Sequence, residues 1–553
     1  MNGVKGMGDT LDADLLVVGG GLAGLLTALG AVQRGLRVTV VERDTRERLG
    51  GLARWAFGGM ALVGTPLQAR AKIPDHPERA LADWLRWGGL NPADPADRWP
   101  LAWARHYVER SRPDVHDWLR GLGLRFLPAV NWVERGLNGE GNSLPRYHVL
   151  WGTSRLLTLR VIAALEQAAS GPRADRLTLL CGTRVTALDW TDGAVSGAQA
   201  VDEASGRALR LRAPQVVLAT GGLNGTLEGV QAHWPAGQPC PGELLNGAHP
   251  FADGALHRAA VQAGARIAAP GAMWNYAAGI PHPQPHFAGH GLSLVPPKSA
   301  LWLDASGRRI GPAPLVTGFD THDLCRQVAA QAEPWTWQLL NRRIARRELA
   351  ISGAEHNPRI RERQWLPFLA ETLLGSGRLL DQLLRESPQV LAHERLDGLA
   401  AQMNALTGGP HVDPSVLQAT VDAFDAHFVP GRGLRLANDD QLRRIQHARQ
   451  WGPDRLRTCA PAPLQRRGDG PFVAIQLRLI TRKSLGGLVT DLHSRVLDAQ
   501  DRPLPGLYAV GEAAGFGGGN ASGRRSLEGT FLPGCILTAQ AAARHLGGGA
   551  SAA

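Results

Sequence analysis

The sequence predicts an α/β fold in which one nucleotide-binding sheet is assembled from both ends of the chain. Three observations predict it. The aliphatic run Asp14-Leu15-Leu16-Val17-Val18 leads straight into Gly19-x-Gly21-x-x-Gly24, the pattern of a strand buried on both faces that opens a helix through a glycine turn. A second glycine-rich block, Gly506-Leu507-Tyr508-Ala509-Val510-Gly511-Glu512, lies near the opposite end. At 553 residues the chain exceeds one simple core, so two domains are the natural division.

The first unit fixes the chemistry of the sheet edge. Gly19 permits the tight turn, Gly21 lets backbone approach a pyrophosphate, and Gly24 brings helix and strand together, with Ala23 inside the same turn. The helix they open runs to about Arg34, and its free N-terminus attracts phosphate charge. The next strand, Arg37 to Val41, ends at Glu42 and Arg43, near the spacing of ~20 residues at which a carboxylate binds a ribose 2′-OH. An acid there favours FAD or NAD over NADP. The apolar stretch Leu15 to Val32 also resembles a membrane span or signal core. Asp12 and Asp14 just upstream, a single Lys5 as basic region, and the βαβ glycine spacing argue against that.

Further along, Gly50-Gly51 and Gly58-Gly59 bracket a short segment that either lets backbone pass near the pyrophosphate and flavin ring or forms a plain surface loop. Residues 75 to 125 show amphipathic helical spacing with Trp84, Trp87, Trp103 and Trp118, rings expected in the core. Thr178-Leu179-Leu180 leads to a strand through Val185, expected near an adenine. Gln215 to Leu218 is another buried strand, ending in Thr220-Gly221-Gly222. At the far end, Pro505 to Glu512 reads as a turn and strand, and Thr530 to Leu546 reads as a helix. Gly515 to Gly519 and Gly523 form a glycine loop, the alternative being a disordered linker.

Composition narrows the classes. The formal charge is +11, carried almost entirely by scattered Arg without an aromatic-interleaved basic tract, so no nucleic-acid partner is expected. Five cysteines lie far apart with no CxxC or Cys/His cluster, which predicts a reduced cytoplasmic setting without a zinc or iron–sulfur site. No transmembrane segment is expected.

Val17 to Gly24, Leu218 to Gly222, Asn246-Gly247-Ala248-His249-Pro250-Phe251-Ala252-Asp253-Gly254 and the block Gly506 to Gly534 together resemble the fumarate reductase/succinate dehydrogenase flavoprotein family. Trp132 to Gly136, Pro145 to Thr153 and Thr481 to Leu488 are similar to its subgroup related to 3-ketosteroid Δ1-dehydrogenases. The resemblance implies a Rossmann-like FAD-binding domain of residues 13–245 and 465–546, with an inserted α+β capping domain of residues 246–464 over the flavin. It places Gly511, Glu512, Gly529 and Thr530 at the cofactor, Glu512 on the ribityl chain unless it is a solvated strand-end acid. It implies hydride transfer between flavin N5 and a carbon–carbon bond next to a carbonyl, with electrons leaving to a separate acceptor. An oxidase of another class and a fumarate-reductase-like dicarboxylate enzyme are the alternatives. Leu52 to Phe57 lacks the histidine that tethers flavin in succinate dehydrogenases, so FAD is expected to be non-covalent.

The substrate residues match the family only in part. Lys483, beside Arg482, stands where the fumarate reductases carry His; the cap arginine position falls near Lys298, and the C-terminal one at Arg524 or Arg525. The steroid enzymes use tyrosines, and of the four here Tyr107 and Tyr508 read as structural, leaving Tyr147 and Tyr276. Candidate catalytic residues are therefore the cations Arg482, Lys483 and Arg525, which would stabilise an enolate or reduced flavin, together with Tyr147 and His148. The alternatives are cations paired with Asp491 or Glu528, and His148 as a satisfied core histidine.

Overall fold

A computed structural model describes residues 9–548 apart from 236, 312–314, 430–432 and 435–438. Its central sheet joins the two ends of the chain as expected. Strand order is Arg495–Leu497, Pro503–Ala509, Val216–Leu218, Leu15–Val18, Val38–Val41 and Leu177–Leu180, all parallel except the first. Every residue of Leu15–Val18 and Val38–Val41 is buried, which is why these strands read as continuous aliphatic runs rather than alternating ones. The register puts Val18 beside Val41 and Leu218 beside Ala509, so four strand ends converge on one edge. Helix Leu22–Gln33 packs on one face against the closing helix Phe531–Gly548. On the other side lies a second sheet of Asp9–Asp12, Ala208–Arg212, Ala194–Asp202 and Thr183–Thr191.

The tryptophan-rich helices, Pro77–Gly88 and Arg98–Arg110, do more than fill the core. Trp84, Trp87 and Trp103 are buried, and their indole N–H groups donate to the carbonyls of Ala521, Ser526 and Asp491. The glycine run Gly515 to Gly519 is accordingly buried, pressed against Trp103 and Trp99, and is not a linker.

The middle of the chain builds a separate core around an eight-stranded sheet. Its central strand, Phe472–Ser484, pairs antiparallel with Met273–Pro281, Thr336–Asn341 and Val390–His393 and parallel with Leu245–Asn246. This strand lies beyond residue 464, in the segment expected to return to the nucleotide domain. Thirteen residues long, it crosses the second core first, and its last four residues, Thr481 to Ser484, emerge where the two units meet.

Candidate functional site

The converging strand ends open into a cleft lined by Gly19, Gly21, Ala23, Glu42, Arg43, Gly50, Gly51, Val185, Thr220, Gly221 and Glu512, eleven of the predicted cofactor positions. The three motif glycines differ in what confines them. A Cβ on Gly19, at φ +108°, would stand 2.3 Å from the Ala219 carbonyl oxygen, and one on Gly24 would stand 2.0 Å from that of Gly19. A Cβ on Gly21 meets no protein atom within 4 Å; it would occupy only the cleft. Gly21 is also the N-cap of Leu22–Gln33, and no side chain caps that end. The first-turn N–H groups are thus left for a ligand, and a diphosphate fits them in charge and geometry. Thr220 adds a buried hydroxyl with no hydrogen-bond partner, an orphan in the cleft wall that a bound group would satisfy.

Glu42 shapes this edge directly. Its carboxylate accepts from the Gly20 N–H at 2.6 Å and the Asp44 N–H at 2.7 Å, which folds the loop after the second strand onto the glycine turn. Arg43 is held by Glu203 and Asp253 and lies over Phe251. Glu512, deep in the cleft, accepts from the Ser484 N–H at 2.8 Å. Burial pushes its carboxyl above the usual range, against the opposing pull of that N–H and of the Lys483 and Arg482 cations.

Other predicted positions are explained by protein contacts. Gly58 abuts the backbone of Thr153 and Ser154, and Gly59 lies under the Tyr147 ring. Gly222 is pressed by Glu512 and Ser484, Gly511 by Ala23, and Gly529 by Tyr147 and the backbone of Ala61. The Thr530 hydroxyl donates to the Leu527 carbonyl at 2.9 Å, so its side chain is spent in the turn before the closing helix. His148 is a correction: its ring donates from Nδ1 to the Arg146 carbonyl at 2.7 Å and accepts at Nε2 from the Thr65 hydroxyl at 2.8 Å. It is fully buried, and desolvation lowers its pKa to about 4. With both nitrogens engaged, it is a core histidine.

The cations gather at the seam between the two cores. Lys483 Nζ lies 4.3 Å from the Phe531 ring centre and 5.9 Å from that of Tyr276. Burial and the Arg482 charge depress its pKa, against the Glu528 and Glu512 carboxylates. Arg482 stands 6.0 Å from the Tyr276 ring, and its buried Nε has no partner. Neither pairs as the structural alternative required: Asp491 holds Arg495, and Glu528 accepts from the Tyr276 hydroxyl at 2.7 Å and the Trp274 indole at 3.0 Å. Arg525 is half-buried and Arg524 exposed. Arg525 Nη1 sits 3.0 Å from Asp320, whose side chain is 2% exposed, with its guanidinium over Trp87.

Both remaining tyrosines face Glu528. Tyr276 bonds it, and Tyr147 feels its charge; burial, then that charge, raises both phenols above their ordinary value. Glu134 completes the acidic side, accepting from Thr321; burial raises its pKa to about 8. Glu134 and Glu528 lie in segments that carry the family resemblance, yet neither segment marks its acid as a site residue, and Tyr276 and Glu528 meet across 252 residues, so sequence spacing could not pair them.

A family model described as an FAD binding domain matches residues 14–532. A KsdD-like steroid dehydrogenase of Mycobacterium tuberculosis is 38% identical over 552 residues, spanning 97% of this chain and 95% of that protein. Among solved structures, the fold is similar to a 3-ketosteroid Δ1-dehydrogenase from Sterolibacterium denitrificans, with TM-score 0.67, 18% identity, and coverage of 97% of this chain and 100% of the other. A flavocytochrome c3 fumarate reductase gives TM-score 0.67 at 19% identity, covering 97% of this chain and 78% of that one. No described helix is long and apolar enough to cross a membrane.

Proposed function

The chain belongs to the FAD-binding-domain family and is an FAD-dependent oxidoreductase of the CH–CH type, and from that premise we propose that it acts on a ketosteroid-like substrate, at a carbon–carbon bond next to a carbonyl. The observation that carries this reading is the Tyr276–Glu528 hydrogen bond set beside Lys483 and Arg482. FAD, when bound, supplies the hydride acceptor or donor; the chain must orient the substrate and manage the proton. Tyr276 takes the proton of the substrate C–H at its phenol oxygen as its own hydroxyl proton passes to Glu528, so no buried phenolate accumulates. Arg482 and Lys483 hold the negative charge that develops on the activated carbonyl side. Arg525, being matched by Asp320, is a poor anchor for the second carboxylate that a dicarboxylate would bring.

The FAD is proposed to be non-covalent, since Leu52 to Phe57 offers no histidine; acid or heat denaturation should release it whole. The cap is proposed to comprise about residues 245–484, bounded by the pairing of Leu245–Asn246 and Phe472–Ser484. Reducing equivalents would pass to a separate carrier, in a cytoplasmic setting.

Anaerobic titration with a panel of 3-ketosteroids and dicarboxylates, following the flavin band, tests the substrate class. A ketosteroid should bleach it; a flavin bleached only by dicarboxylates would overturn the reading. Tyr276→Phe and Glu528→Gln should keep bound flavin and slow bleaching by roughly a hundredfold or more, the scale of a lost proton-transfer group. Arg482→Ala and Lys483→Ala should likewise stay yellow and bleach slowly. Wild-type rates in all four would remove these residues from the reaction.

A further inference from the structure

A histidine cluster outside the flavin site faces the Arg482 side of the seam. The hairpin between Met273–Pro281 and Gly291–Val295 carries His282, His286 and His290, spaced by Pro283 and Pro285, which stiffen the turn. His282 stacks on His290 at 4.5 Å and 6°. A different segment, the turn after Ala350–Ile351, brings Glu355 and His356 against them. One ligand atom from each of His282, Glu355 and His356 lies within 4.8 Å of the other two.

The ring nitrogens differ in how they are engaged. His282 Nδ1 accepts from the Gln284 N–H at 3.0 Å, so its Nε2 carries the ring proton; binding an ion at Nε2 moves that proton to Nδ1 and releases the Gln284 N–H. His356 Nε2 is buried with no hydrogen-bond partner at all, and a buried orphan of this kind needs a ligand. The turn that presents His356 is itself fixed. The Asn357 amide donates to the carbonyls of Ile351 and Gly353 at 2.9 and 2.7 Å, and the Ala354 N–H donates to Trp55 at 2.7 Å.

We propose that His282, Glu355 and His356 form a divalent transition-metal site of the Zn2+ class, built from the cap hairpin and the 352–357 turn. Two imidazoles and one carboxylate are the donors such ions prefer, and three protein ligands leave a fourth position open. With metal–ligand bonds of about 2.0–2.1 Å, tetrahedral ligands stand roughly 3.4 Å apart. Closure from the present spacing requires a shift of about an ångström, which rotation of the exposed Glu355 side chain and of the two half-buried imidazoles would supply. Proton accounting is simple: neutral imidazoles and an ionised carboxylate bind the ion without an oxidant or reductant.

The site's position gives it a consequence. Arg482, Leu52 and Ala248 line the same pocket as the histidines, and Leu52 and Ala248 also line the FAD cleft. Trp55 is stacked between His286 at 5.5 Å and His249 of the cleft at 5.6 Å. A bound ion would therefore brace the hairpin and the turn into one wall beside the cleft.

The test uses full-length, FAD-loaded protein stripped with EDTA and titrated with Zn2+ by calorimetry, then with Co2+ followed by its visible absorption. We expect one saturable equivalent per chain and the intense absorption of four-coordinate Co2+. His282→Ala and His356→Ala should each weaken Zn2+ binding by more than about a hundredfold, beyond the roughly ten- to hundredfold that loss of an outer-sphere partner costs, while flavin content stays at one per chain. His393→Ala, on a strand paired with the start of Phe472–Ser484 at Phe472, serves as the control and should bind as wild type. Absence of a 1:1 transition, or equal Zn2+ affinity in wild type and both ligand variants, would overturn the site.

Discussion

His148 and Glu134 show how burial decides a titratable residue's role. His148 is folded neutral, with its pKa depressed to about 4, so it contributes stability above the ordinary histidine range that is lost as pH falls from about 6.5 toward 4. His148→Ala should leave flavin content and bleaching intact yet cost about 2–4 kcal/mol, from a cavity and two deserted polar partners. Slow bleaching at unchanged stability would instead restore it to the reaction. Glu134 runs the other way. Its folded pKa of about 8 exceeds the unfolded value of 4.5, so the stability of its protonated form is fully present below pH 4.5 and is lost as pH rises through 8. Thermal melts should show Glu134→Gln less destabilised than wild type between pH 6 and 8, and a parallel decline in both proteins would exclude Glu134 as its source.

At the scale of elements, the glycine turn separates what folding requires from what the ligand requires. Gly24→Ala puts a Cβ 2.0 Å from a fixed carbonyl oxygen, so strand and helix must part and the protein should lose soluble expression or melt far lower. Gly21→Ala meets nothing in the protein; the apo form should melt as wild type while FAD retention falls by about tenfold or more. Equal FAD affinity in Gly21→Ala would mean that the pyrophosphate does not approach this backbone. Such local logic was legible in the sequence because the whole βαβ unit is contiguous. Strand, glycine turn, helix, strand and acid follow one another within residues 14–42, and the closing block announced the strand Pro503–Ala509 for the same reason. Gly59 and Gly529 both lie against the Tyr147 ring, and a close approach to protein reads in sequence like a close approach to ligand. The apolar run of Phe472–Ser484 fits either sheet, and only its partners, 235 residues upstream in the pairs Leu245 with Ile480 and Asn246 with Thr481, decide between them.

At the scale of the whole molecule, the question is what joins the nucleotide unit to the cap, and Arg525 and Asp320 span that seam. Asp320 caps helix Thr321–Ala329 by accepting from the Asp323 N–H at 2.8 Å, and burial raises its pKa, against the downward pull of Arg525. Removing Arg525 leaves that carboxylate buried without its cation, a loss that is costly whether or not the arginine touches substrate. The double variant separates the two roles. Arg525→Ala should lower the melting temperature and slow bleaching; adding Asp320→Asn keeps the cap, removes the stranded charge, and should restore most of both if Arg525 acts by neutralising Asp320. If stability returns but bleaching does not, Arg525 binds the substrate directly. The substrate's own charge then becomes the discriminating variable, because an arginine free to meet substrate would select a carboxylate, whereas one held by Asp320 leaves the seam to a neutral ketone.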